Sequence, residues 1–209
     1  MPYLVILGMN KQRYYWIGTL VIISVWTLGQ LTANSQIEEH SINSPKGVGD
    51  TPFDKMMAVL THQRCVNCHP AGDSPLQGED SHVHNFDVVR GHDDHGLSGY
   101  TCNTCHQSEN NDYSGVPGAP HWAVAPKSMA WEGKSRVQIA TQMMDPTRNG
   151  GRSPQDVMKH LTEHELVLWA WNPGVDDEGL PREKPPVAKD EYIQAVKDWI
   201  AAGAIIPAE

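Results

Sequence analysis

The stretch Gln63-Arg64-Cys65-Val66-Asn67-Cys68-His69-Pro70 decides how the chain is read, because its central pattern recurs at Cys102-Asn103-Thr104-Cys105-His106. Two thiols separated by two residues and followed at once by an imidazole form the spacing used for covalent haem attachment. Each thiol adds to one vinyl group of the same macrocycle, and the histidine reaches the iron as its proximal ligand. The chain has 4 cysteines, and all of them fall in these two motifs. The pattern predicts two haem c groups attached through Cys65, Cys68, Cys102 and Cys105, with His69 and His106 on the irons.

Two other chemistries use paired cysteines. A four-thiolate zinc site also takes two Cys-x-x-Cys pairs, but it leaves the histidine after each pair unexplained, and the interval between the pairs is long for a zinc ribbon. A thioredoxin-like redox pair needs a strand-helix-strand frame, which surrounds neither motif.

Composition points the same way. A length of 209 residues suits one domain or two small ones. With 18 Gly, 15 Pro, 2 Phe and a mean hydropathy of -0.46, protein side chains alone build only a modest core, and two large apolar macrocycles would supply the missing burial. The formal charge is -9, and without Lys11 and Arg13 the remaining 14 basic side chains face 25 acidic ones. This acidity disfavours nucleic acid and favours a partner with a basic face.

Lys11 and Arg13, the apolar run over residues 14–31 and the small polar stretch after it predict that residues 1–34 are an export signal or a membrane anchor. Residues 35–51 read as a flexible linker and 52–209 as the dihaem domain. Within that domain the periodicity predicts helices over Pro52 to Thr61, Ser135 to Met144, Pro154 to about Leu161, Leu166 to Trp171 and Lys189 to Ala202, the last ending at Gly203. Residues 70 to 98, rich in Gly, Asp and His, read mainly as loop. The expected fold is mainly α: a loop-rich helical dihaem cytochrome c fold.

The sixth iron ligands are open. Nine further histidines and several methionines compete for two positions. His95, seven residues before Cys102, and His121, in a proline-stiffened loop, are the first choices; His62, His84 and Met129 are alternates. His92, His160 and His164 read as solvated or helix-surface residues. Arg64 and Arg90 are candidate propionate partners, and Trp122, Trp131, Trp169 and Trp171 are candidate haem-packing residues. Asn149-Gly150-Gly151-Arg152 reads as a turn.

The span from Phe53 to about Gly174 resembles a family of bacterial dihaem c-type cytochromes often labelled isoquinoline 1-oxidoreductase subunits. The resemblance rests on Leu60 to Pro70, on Ser114-Gly115-Val116-Pro117-Gly118-Ala119-Pro120-His121-Trp122, on Ser128-Met129-Ala130-Trp131-Glu132-Gly133 and on Asn149 to Ser153. It implies a cytochrome that accepts electrons from a periplasmic molybdenum hydroxylase. Nothing in the chain resembles a molybdopterin or iron-sulfur domain, so the chain would be the acceptor alone, and the substrate in the label does not transfer.

These readings converge on an expected periplasmic electron-transfer protein, soluble or tethered to the inner membrane, with redox proteins or a respiratory complex as partners. An enzyme of the dihaem peroxidase type, or a ligand-binding sensor cytochrome, would share the same attachment chemistry. They differ at the sixth coordination position.

Overall fold

The computed structural model describes residues 47–208. The chain divides into two units, residues 1–43 and 44–209; the predicted export segment, its apolar run and most of the linker lie outside the described residues. Among the described residues no helix is long and apolar enough to cross a membrane.

The described unit is loop-rich and mainly helical, as the patterning predicts. Helix α1, Pro52–Leu60, opens on a capping box in which Thr51 Oγ1 accepts from the Asp54 amide at 3.1 Å while Asp54 reaches back to Thr51. The short helix α2, Gln63–Val66, follows directly and carries the first Cys-x-x-Cys-His motif. Helix α3, Arg136–Met144, and helix α4, Pro154–Glu163, open on the same device, Ser135 with Gln138 and Ser153 with Asp156. Each such cap contributes about 1 kcal/mol. The predicted helix over residues 166–171 splits into α5, Glu165–Leu168, and a 3₁₀ turn, Trp169–Trp171. Helix α6, Lys189–Ala201, is followed by Gly203 at φ 88°, a left-handed conformation that glycine adopts without strain.

Two small antiparallel hairpins interrupt the predicted loop. Strands β1, Leu76–Gln77, and β2, His82–Val83, form one; β3, Gly96–Leu97, and β4, Tyr100–Thr101, form the other. Their ladders are two residues long because the sequence there has too few apolar side chains to bury a sheet face.

The hydrophobic core lies where α1 crosses α6, with α3 and α4 closing the sides. Met56, Met57 and Leu60 of α1 meet Tyr192, Val196 and Trp199 of α6, all buried. Burying each such side chain stabilises the fold by about 1.5–3 kcal/mol. The Lys55–Glu191 ion pair at 2.7 Å adds a link at the rim. Val48, the last apolar residue of the predicted linker, also packs on this core, as does Cys65 of the first motif. The core therefore continues without a break into the first motif.

Met57 is fully buried between α1 and its neighbours. Met57→Ala is expected to cost about 2–5 kcal/mol, read as a lowered denaturation midpoint with an unchanged slope in urea.

Candidate functional site

The two motifs open into two adjoining cavities. The first, of about 410 Å³, is lined by Cys65, Cys68 and His69, and the second, of about 630 Å³, by Cys102, Cys105 and His106. Both fall in the range of cavities that hold sizeable organic ligands. Arg64, Cys68, Ala123, Val124 and Trp169 line both, so the cavities share a wall.

The motif histidines are held alike. His69 Nδ1 is 2.7 Å from the Met129 carbonyl, and His106 Nδ1 is 2.7 Å from the Pro117 carbonyl. A carbonyl only accepts, so each Nδ1 carries the proton and each Nε2 keeps a lone pair. Each ring also lies flat on an indole: His69 on Trp131 with centroids 3.5 Å apart, and His106 on Trp122 at 4.4 Å. Trp122 in turn meets Trp169 edge-on at 5.0 Å. Burial pushes the His69 pKa down to about 4 and lowers that of His106, which keeps both imidazoles neutral, the form that binds a metal. Burial likewise pushes the thiols of Cys65 and Cys68 up, to about 12 and about 11.

The supporting loops are fixed by backbone hydrogen bonds. Ala125 N donates to Cys68 O at 2.8 Å and Trp131 N to His69 O at 2.8 Å, so residues 124–132 wrap the first motif. Around the second, Asn110 accepts from Trp169 Nε1 at 2.9 Å and from the Gly118 amide at 3.0 Å. Arg182 donates to the carbonyls of Pro173, Val175 and Gly115. Gly115, at φ 66°, has no room for a Cβ, which would stand 2.4 Å from the Asp176 backbone.

The candidate distal residues separate between the cavities. His95 and His121 both line the first cavity, so these two first choices compete for one place and neither faces His106. His84 lines the second cavity only. Met129 lines the first, but its carbonyl holds His69, which fixes its backbone on the His69 side. His62 lines neither cavity; it caps α2, its Nδ1 accepting from the Arg64 amide at 3.2 Å.

Several other placements differ from the sequence reading. His160 and His164 were expected on the surface; both line the first cavity, with ring centroids 4.9 Å apart, and His164 lies 5.8 Å from His121. Burial pushes the His160 pKa down to about 4. For His160 the signal was present in the sequence: it follows the buried Val157 by three positions and so lies on the inward side of α4, while His164, in extended conformation, caps the C-terminal end of that helix. His92 is exposed, as expected. Arg64 lines both cavities but is already paired with Glu79 and donates to Glu183 O at 2.8 Å. Arg90 lines neither; it ties Asp94, Gly72 and Ala125 together. Trp171 packs on Tyr192 in the protein core and lines neither cavity.

The residues fit a haem in each cavity: paired thiols, a neutral imidazole with a free Nε2, and a tryptophan wall. Trp131 Nε1 is buried with no partner among the described residues, a spare donor at the first cavity. Among the described residues no group of three or more His, Cys, Asp or Glu side chains is arranged to hold an ion.

Trp131 is 4% exposed and both packs the core and supports His69. Trp131→Ala is expected to cost about 3–5 kcal/mol of stability, measured by chemical denaturation, whereas Trp131→Phe, which keeps a ring on the imidazole, should cost less.

No protein-family model, curated protein or solved structure matches this chain.

Proposed function

We propose that this chain is an electron-transfer protein carrying two covalently bound c-type haems, one in each cavity, within a dihaem cytochrome c fold. What carries the reading is the duplicated arrangement: two Cys-x-x-Cys-His motifs, each facing its own cavity, each histidine bonded through Nδ1 to a backbone carbonyl and backed by a tryptophan. A bound haem iron alternates between ferric and ferrous and so passes one electron at a time.

The chain's own residues do the rest. The thiols of Cys65 and Cys68 would hold one macrocycle along an edge, and those of Cys102 and Cys105 would hold the second macrocycle in the same way. The Met129 and Pro117 carbonyls orient the two imidazoles and make them more basic donors, which favours the oxidised metal. Leu60, Val124 and Trp131 give the first cavity apolar walls, which lower its dielectric. The shared wall at Cys68 and Trp169 keeps the cavities within reach of each other for electron exchange.

The proposed location is the periplasm, with the chain soluble or tethered by residues 14–31. The proposed partners are redox proteins with a basic docking face, such as a periplasmic molybdenum hydroxylase or a respiratory complex, in keeping with the net charge of -9. The resemblance to dihaem cytochromes labelled isoquinoline 1-oxidoreductase subunits supports the same role, without the substrate.

Expression of the full chain in a host that matures c-type cytochromes should give two haems per chain by the pyridine haemochrome assay. Replacing Cys65 and Cys68 together by Ala should leave one haem, and replacing Cys102 and Cys105 together by Ala should also leave one. Zero haem in the wild type, with zinc in its place, overturns the reading; two haems with high-spin bands and peroxide turnover replace the carrier by an enzyme.

A further inference from the structure

We propose, resting on the two-haem reading above, that His84 is the sixth ligand in the second cavity, facing His106 across the iron. The observation is the relation of the two rings. Their centroids are 6.0 Å apart and their planes are inclined at 75°. At a nitrogen–metal distance of about 2.0 Å, two imidazoles facing one ion from opposite sides have ring centres about 6 Å apart, because each centre lies about 1.1 Å behind its nitrogen.

The protonation pattern agrees with the spacing. His84 Nδ1 is 2.7 Å from the Asn85 carbonyl, as His106 Nδ1 is 2.7 Å from that of Pro117. Both rings therefore carry the proton on Nδ1 and keep Nε2 as a lone-pair donor.

His84 is also held in place. Its amide donates to Pro75 O at 2.9 Å, and the Asn85 amide donates to Gln77 Oε1 at 3.0 Å, which fixes the chain as it leaves the β1–β2 hairpin. The other spare histidine of this cavity, His82, is 2.6 Å from Asp80 Oδ1 and half exposed. Of the two, His84 is the one whose ring meets that of His106. The second haem is thus closed to outside ligands, and the β1–β2 hairpin is the strap that closes it.

The test uses the full-length, haem-loaded protein. Haem per chain is counted first, since fewer than two haems in the wild type would sink the two-haem reading itself rather than the ligand. With two haems present, wild-type electron paramagnetic resonance should contain a strongly anisotropic low-spin ferric signal, because steeply inclined imidazole planes leave the iron dxz and dyz orbitals nearly degenerate. His84→Ala should turn one haem of the two high-spin and let its ferrous form bind one additional equivalent of carbon monoxide. His84→Met should raise the reduction potential of one haem, as methionine ligation does. His82→Ala should change none of these. A His84→Ala protein that keeps two haems with unchanged spin state and carbon monoxide binding overturns the assignment, as does a wild type without the anisotropic signal.

Discussion

Two backbone carbonyls, those of Met129 and Pro117, hold the chemistry of this protein in place. Each accepts from the Nδ1–H of a motif histidine at 2.7 Å, and each sits in a loop that also supplies the tryptophan on which that histidine lies. Met129 and Pro117 act here through their main chain. Local hydrogen bonds fix those two loops. The wrap of residues 124–132 over the first motif and the Asn110 and Arg182 hubs beside the second are the means.

The two halves of the site are stabilised differently. The first motif is continuous with the core: α1 runs straight into α2, and Cys65 packs on the same cluster as Met56, Leu60 and Tyr192. The second sits among loops, with Cys105 exposed and Phe86 at the cavity wall 80% exposed. Polar hubs replace apolar packing there. In the proposed reading the second macrocycle is itself the missing core of that region, and its loops are the part of the fold that depends most on cofactor attachment.

Much of this was legible in sequence because the signals were local. Thr51, Ser135 and Ser153, two of them followed by proline, marked three helix starts, and the 3,4 spacing of Phe53, Met56, Met57 and Leu60 marked a buried face. The Cys-x-x-Cys-His motifs are likewise short-range patterns. The partners of each cavity were not legible, because they depend on how distant loops cross. His95 belongs by main chain to the second motif, whose Cys102 amide donates to its carbonyl at 2.9 Å, yet it lines the first cavity. Adjacent residues His121 and Trp122 serve different cavities. His160 carried a readable helical signal three positions after Val157, but its polarity made it look like surface.

The central claim is that each motif holds its own covalent haem. Peptide mass analysis of the purified, denatured protein tests this most directly, since a covalent haem survives denaturation and digestion while a coordinated ion does not. The fragment containing Cys65 to His69 and the fragment containing Cys102 to His106 should each carry the added mass of one haem. Both fragments recovered at the mass of the bare peptide would contradict it.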